Sequence, residues 1–305
     1  MASNSKNRLP AEALPVRSIG LASILLISSL AWVLAAKHLL LQQSLARDES
    51  ALKQSEAVFM QARENTRSTL KIESQLLADD PRLRSALGTP GIDEATILDI
   101  LVDLKKVTGA DLLAVLSPSG RVQAVAGAET FRGLDLGSSA IVKSVSSSEK
   151  SVTGSWVIED RLIDLGASAM RYGDQAIAYL MVGSYLDKKA LVQQHQITDV
   201  GVGVVIGGKL TMFEPDRAED RAGFEWLSSQ TPSTDFKVFE QIEPSPLLGA
   251  IAEVPGALPP SRIVWSRRPE SLLPSQQPLQ LLLWGPTLAA LTVWCVVMFQ
   301  TFVKK

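Results

Sequence analysis

Leu112-Leu113-Ala114-Val115-Leu116-Ser117-Pro118-Ser119-Gly120-Arg121-Val122-Gln123-Ala124-Val125 reads as two short strands joined by a turn. Apolar runs flank a Ser-Pro-Ser-Gly segment, where proline presets φ and glycine relieves the backbone. Upstream, Gly88-Thr89-Pro90-Gly91 makes a break, and Asp93 caps a helix carrying Ile97, Leu98, Ile100, Leu101 and Leu104 that stops at Gly109. Downstream, residues 134–145 form a loop leading into a short helix. Three strand segments follow near 153–159, 161–170 and 175–184, with Tyr172-Gly173-Asp174 turning between the last two. Hairpin, helix and three-stranded meander make one antiparallel lobe.

The pattern then begins again. Tyr185-Leu186-Asp187 starts a helix running to about Gln196. Residues 203–206, a Gly207-Gly208 turn and residues 209–213 make a second hairpin. A helix near 219–228 and strands near 236–242, 248–254 and 262–266 complete a smaller lobe. Proline is absent between Pro118 and Pro215 but frequent afterwards, so the second lobe is the more edge-rich of the two. Before both lobes, residues 37–87 contain no glycine and only Pro81, and Leu45, Leu52 and Phe59, then Leu70 and Leu77, recur seven apart. That is a long helix whose apolar seam packs on the domain's own core or on the other membrane-proximal segment. A homodimer through the same stalk helix stays open beside that use.

Two stretches free of Asp, Glu, Lys and Arg frame this domain. Residues 18–36 (SIGLASILLISSLAWVLAA) span roughly 28 Å as a helix, close to the hydrocarbon thickness. Val33-Leu34-Ala35 resembles a signal-peptide cleavage site, but the apolar run exceeds the usual length and continues into Leu39-Leu40-Leu41. Residues 279–303 form a second crossing that Pro286 bends, closed by Lys304-Lys305. The flanking Lys6, Arg8, Arg17, Lys304 and Lys305 place both tails in the cytoplasm. Removing the five basic residues and one acidic residue of the tails from totals of 30 and 32 leaves a mildly acidic segment outside the cytoplasm. Little sequence follows the second crossing, so a signal is expected to leave through a separate partner protein.

Composition narrows the chemistry. A chain of 305 residues with 46% hydrophobic and 20% charged content and a net charge of −2 folds around a core and does not bind nucleic acid. Two histidines and one cysteine cannot build a disulfide framework or a His/Cys metal or redox centre, so no cofactor and no metal is expected. His195 stands among glutamines, His38 lies at the membrane surface and Cys295 falls inside the second crossing. Gly201, Gly203, Gly207 and Gly208 lack the helix start and acidic residue of a dinucleotide loop. No spacing nominates a nucleophile with its base or a catalytic carboxylate pair, so no enzyme is expected.

The element order resembles the double Cache sensory domains of bacterial membrane receptors. Three stretches carry the resemblance: Ala78-Asp79-Asp80-Pro81-Arg82-Leu83-Arg84-Ser85-Ala86-Leu87, then Gly109-Ala110-Asp111 running into the first hairpin, and Val182-Gly183-Ser184-Tyr185-Leu186-Asp187 between the lobes. It covers residues 38–268 and implies an α+β fold in which a long N-terminal stalk helix carries two PAS-like (Cache) antiparallel-sheet lobes flanked by two transmembrane helices. The implied organisation is a cytoplasmic tail (1–17), a first transmembrane helix (18–41), the stalk (42–87), a membrane-distal lobe (88–186), a membrane-proximal lobe (187–268), a Pro-rich linker (269–278), a second transmembrane helix (279–303) and a cytoplasmic end (304–305). The resemblance implies a periplasmic sensor in the bacterial inner membrane that recognises a small-molecule ligand. The alternative is an envelope scaffold without a ligand. The aromatic-Arg-Trp-Tyr run of the amino-acid-binding members is absent from the sequence.

Candidate ligand-binding residues on the meander are Trp156, Arg161, Asp164, Arg171 and Tyr179. Guanidinium forks suit carboxylates and phosphates, so Arg161 or Arg171 would clamp an anion. The competing reading makes Trp156 and Tyr179 core aromatics and Arg161 and Asp164 exposed strand-edge charges.

Overall fold

The structure, a computed structural model, describes residues 14–267 except 90, 149, 216, 231–232, 240–246 and 258, together with 291–292 and 294–295. The chain divides into two units, Met1–Asp48 with Arg268–Lys305, and Glu49–Arg267. Among its described residues the second holds ten strands in two five-stranded antiparallel sheets.

The first helix, α1, spans Leu14–Ala78. It does not reach residue 87 as the sequence suggested, because Pro81 cannot donate the next helical bond and disfavours a helical residue before it. The chain turns at Asp79 and restarts as α2 (Pro81–Gly88), with the Asp80 carboxylate accepting from the backbone N–H groups of Arg82 (2.9 Å) and Leu83 (3.2 Å). Next comes α3 (Glu94–Thr108), capped by Asp93 and closed by Gly109 at φ 73°. The hairpin is β1 (Leu112–Leu116) and β2 (Val122–Ala126), and the short helix α4 is Ala140–Ser147. The meander is β3 (Val152–Ile158), β4 (Arg161–Tyr172) and β5 (Gln175–Tyr185). Strand order is β2-β1-β5-β4-β3, so the lobe's opening hairpin pairs through β1 with its last strand, and β5 lies at the centre.

The second sheet repeats this plan. After α5 (Lys188–Thr198) come β6 (Gly201–Ile206), β7 (Lys209–Glu214), α6 (Ala218–Ser229), β8 (Ser233–Phe239), β9 (Leu247–Glu253) and β10 (Ser261–Arg267), in the order β7-β6-β10-β9-β8. The eighth strand begins three residues before its expected start at 236, and the tail of that expectation, 240–242, lies outside the described residues.

Both faces of the first sheet are buried. Val182, Leu180, Met170, Leu113 and Val115 join Leu70 of α1, Leu83 of α2 and Leu101 and Leu104 of α3 on one face. Leu165, Ile163, Met181, Leu112 and Leu116 join Val142 and Val145 of α4 on the other. In the second sheet, Val205, Val264 and Phe213 pack against Phe224 and Leu227 of α6. Strand alternation sends the neighbouring Trp265 the other way, where its ring meets Phe59 of α1 edge-on at 6.0 Å. Leu52, Phe59 and Leu70 of the seven-residue pattern are all buried in the chain's own core. One helix thus carries both sheets.

Among the described residues no helix is long and apolar enough to cross a membrane. The side chains at 18–23, 25, 26 and 41 of the first expected crossing lie outside the described residues, as do the linker at 269–278 and most of residues 279–303.

Candidate functional site

The stalk helix lies along β4 because alternate residues of that strand are small or polar. Asp164, Gly166 and Ser168 share the face turned to α1, while Ile163, Leu165 and Ala167 fill the opposite core. At Gly166 an added Cβ would sit 2.2 Å from the Leu70 carbonyl oxygen, so only glycine admits the helix backbone this closely. Ser74 and Ser168 exchange a hydrogen bond at 2.9 Å one step further along. Helix contacts at 63 and 67, then 70 and 74, advance with strand contacts at 164, 166 and 168, the match expected for rises of about 1.5 and 3.3 Å per residue.

Asp164 is the anchor of this seam. Arg63 donates from Nη2 to Oδ1 (2.6 Å) and from Nε to Oδ2 (3.0 Å), a bidentate fork. Arg67 donates from Nε to Oδ1 at 3.2 Å. Ser155 Oγ on β3 donates to the same carboxylate and accepts from Arg63 Nη2 (3.2 Å) and Arg67 Nη2 (2.7 Å). The Arg63 and Asp164 side chains are each only 5% exposed. Two guanidiniums therefore share one buried carboxylate, and the Nη1 of Arg63 is buried without a hydrogen-bond partner.

Beside this network lies a cleft of about 370 Å³. Its walls come from α1 (Phe59, Ala62, Arg63 and Thr66), from the β5–α5 junction (Tyr185 and Asp187) and from α5 (Ala190, Gln193 and Gln194). Asp111 and Asp164 also line it. Asp111 accepts from the Tyr185 backbone N–H at 2.8 Å, and Asp187 caps α5 by accepting from the Ala190 N–H at 2.9 Å. Burial, together with the nearby Glu159 and Asp111 charges and against the lowering effect of Arg161, pushes the Tyr185 phenol above its ordinary pKa. Gln194, buried on α5, donates to the Ser55 carbonyl (2.9 Å) and hydroxyl (3.0 Å), fixing the second lobe's first helix to α1.

The five meander candidates do not converge. Trp156 and Tyr179 are buried in the core away from the stalk, where Trp156 packs against Phe131 with ring centroids 5.7 Å apart. Asp164 faces the other way. Arg161 is exposed and stacks over the Tyr185 ring at 3.8 Å from its centroid. Arg171 stands ten residues further along β4, with Nη1 donating to the Asp174 carbonyl at 3.0 Å and Nη2 to the Ser148 carbonyl at 3.4 Å. Arg63, Arg67 and Gln194 escaped the sequence reading. An Arg pair at i, i+4 among the Leu, Phe and Ser of one helix seam, opposite a Gly and a Ser on a strand, is the signal that marks the two arginines. His195 is half-buried, with its Nδ1 3.2 Å from the Val200 carbonyl oxygen at the end of α5. Among the described residues no group of three or more His, Cys, Asp or Glu side chains is placed to hold a metal ion.

No model of a known protein family matches the chain, and no curated protein matches it. Among solved structures it is similar to the ligand-binding domain of the Campylobacter jejuni chemoreceptor Tlp3 in complex with L-valine, at 12% identity and a TM-score of 0.49 over 77% of this chain and 96% of that one. It is similar also to the sensor domain of the V. cholerae histidine kinase DctB (14% identity, TM-score 0.49, 74% of this chain and 98% of that one). The periplasmic domain of Vibrio cholerae LuxQ matches at 12% identity and a TM-score of 0.48, over 71% of this chain and 99% of that one. The structures it resembles include sensory domains of a chemoreceptor and of a histidine kinase.

Proposed function

We propose that the chain is a membrane-anchored extracytoplasmic sensor of the bacterial inner membrane. Its two lobes read a small ligand or another envelope signal and pass it through α1 to a separate partner protein. Residues 18–41 and 279–303 are the crossings in this reading, and both termini are cytoplasmic. The observation that carries it is the cleft where α1, the end of β5 and the start of α5 meet, walled by a buried arginine. A molecule held there touches the helix and both lobes at once. If it binds one arrangement of α5 against α1 better than another, it shifts the helix by that difference in affinity. Arg63 and Asp164 are the site residues of this reading, with Arg161 at the rim through its stacking on Tyr185. Trp156 and Tyr179 serve the core, and Arg171 closes the far end of the meander.

The test is thermal unfolding of the full chain in a neutral sugar detergent against panels of organic acids, amines, nucleotides and peptides, since a ligand of the folded state raises the melting temperature. A reproducible rise that is lost on narrowing the cleft supports the sensor. Flat responses from a protein that still unfolds cooperatively remove it. They would favour an envelope scaffold, a reading supported by the filled interior around Trp156, Phe131 and Tyr179.

A further inference from the structure

We infer that the cleft takes an organic ammonium ion with an apolar body and no carboxylate, an inference that rests on the cleft being the sensing site. The charge of its walls leads to it. Three aspartates line the cleft, Asp111, Asp164 and Asp187, against one arginine, Arg63. Arg63 and Asp164 neutralise each other through their fork of hydrogen bonds, which leaves two negative charges. Adding Arg67, which reaches Asp164 from beside the cleft, still leaves one. At the rim the charges of Arg161 and Glu159 oppose one another around the Tyr185 phenol. Lys188, which follows Asp187 in the chain, has its ammonium 4.0 Å from Glu214 on β7. The surplus in the cleft is negative, and low-dielectric walls focus it on a guest.

The two aspartates also keep acceptors in reserve. Asp111 receives the Tyr185 N–H (2.8 Å) and the Ser184 hydroxyl (3.3 Å) on Oδ2 alone, and Asp187 receives the Ala190 N–H on Oδ1 alone. Among the described residues Asp111 Oδ1 and Asp187 Oδ2 have no partner, and neither is sealed from solvent as an unpartnered core atom would be. An ammonium group offers N–H donors to them, and such charge-assisted bonds are about twice as strong as neutral ones. Backbone hydrogen bonds already hold both carboxylates in place, so little ordering remains for the guest to impose. A carboxylate guest meets two like charges instead, while the donors of Arg63 that carry hydrogen bonds are spent on Asp164 and Ser155. Val58, Phe59, Leu186 and Ile197 supply apolar walls around a volume of about 370 Å³, which an inorganic cation would leave unused. Asp111 precedes β1 of the first lobe and Asp187 starts α5, so one ammonium body ties the first sheet to α5.

The experiment is binding to the full chain in neutral sugar detergent at fixed ionic strength, followed by melting temperature and calorimetry. The probes are butylamine, 1,4-diaminobutane, butanol, butyrate, L-norvaline and magnesium chloride. Asp111→Asn and Asp187→Asn remove one charge each while keeping an oxygen for the backbone N–H, and asparagine caps a helix as well as aspartate does. Ala190→Leu narrows the cleft without touching a charge, and Asp103→Asn, on the exposed face of α3, controls for net charge. Binding of butylamine or 1,4-diaminobutane is expected, weakened at least about tenfold in each of the first three variants that keeps the wild-type circular dichroism and unchanged in Asp103→Asn. Butylamine alone identifies a single ammonium shared by the two carboxylates, and the diamine alone one ammonium for each. Amine binding that survives both asparagine variants overturns the inference. So does an equal response to magnesium chloride, or L-norvaline binding as tightly as butylamine. Butanol or butyrate bound in place of the amines and lost in Ala190→Leu also overturns it, as does a ligand of another class from the wider panels, while the cleft remains the sensing site. If no probe binds and the wider panels are flat, both readings fall.

Discussion

Replacing Asp164 with alanine tests whether the stalk is held to the first sheet by its buried charge network. The substitution deletes the carboxylate that accepts from Arg63 Nε and Nη2, Arg67 Nε and Ser155 Oγ. It leaves two guanidiniums facing each other, one of them 5% and the other 17% exposed. Removing one partner of a buried pair typically costs about 3–5 kcal/mol, because the remaining charge is stranded without water. Here two charges are stranded, so the upper half of that range is expected. For a folded unit the size of Glu49–Arg267, each kcal/mol moves the melting temperature by about 2–4 °C, giving a fall of roughly 8–20 °C. The assay is thermal unfolding of the full chain in detergent, read by tryptophan fluorescence, since Trp156 and Trp265 lie in the two lobes. The companion variant Arg63→Met/Arg67→Met/Asp164→Leu replaces the whole network with apolar side chains of similar length. It should recover most of the loss, as buried ion networks exchanged for packed apolar groups are often neutral or stabilising. An Asp164→Ala melting temperature within about 3 °C of wild type would refute the reasoning, for it would mean that the two arginines reach solvent at little cost.

Two further outcomes follow from the same geometry. Gly166→Ala should destabilise more than Gly183→Ala in urea titrations: the new Cβ meets the Leu70 carbonyl oxygen at 2.2 Å in the first case and the movable Ile163 Cδ1 at 2.6 Å in the second, and overpacking costs typically about 1–3 kcal/mol. Equal midpoints would place the stalk further from β4 than described. Asp80→Ala should cost about 1 kcal/mol at neutral pH by uncapping α2. Burial raises the Asp80 pKa, but hydrogen bonds from the Arg82 side chain and the Leu83 and Arg82 N–H groups outweigh it, so the folded-state value is lowered. The cap's charge contribution is therefore complete above the unfolded pKa of about 3.9 and fades as pH falls through the lower folded value. Urea midpoints of wild type and variant should converge only in that acid range, and convergence already at pH 5–6 would contradict it.

Most of the fold was legible because its signals are local. Gly109, Gly207 and Gly208 adopt positive φ where the sequence demanded a helix stop and a hairpin turn, and Asp93 and Asp187 cap the helices they precede. The strand pattern of 161–170 was read correctly as a strand, but its polar alternates were not. Asp164 among Gly166 and Ser168 looks like a solvent face, whereas a helix one hundred residues earlier covers it. Nothing within the strand announces that partner; the pairing is long-range, and its code is split between Arg63 and Arg67 on one element and Ser155, Asp164 and Gly166 on two others. The aromatic candidates failed to converge with the arginines for a simpler reason. Successive strand residues point to opposite faces, so Trp156 and Asp164 on adjacent strands could share a pocket only on one side of the sheet. The end of the stalk was misplaced because the weight of a single Pro81 was set against a long helical pattern, and the residue before proline yields first.

The double attachment of α1 acts as a ruler. Ser55 and Phe59 engage the second lobe through Gln194 and Trp265, and Arg63, Leu70 and Ser74 engage the first. Inserting one residue between positions 59 and 63 would swing one set of attachments by about 100° around the helix axis relative to the other. Inserting seven would restore the facing but part the lobes by roughly 10 Å along the axis. Neither sheet could compensate by a shift of register, since each strand has its own neighbours. Length variation in proteins built this way should therefore be confined to the turns at the outer ends of the strands, and the spacing along the helix between Ser55 and Ser74 should tolerate none.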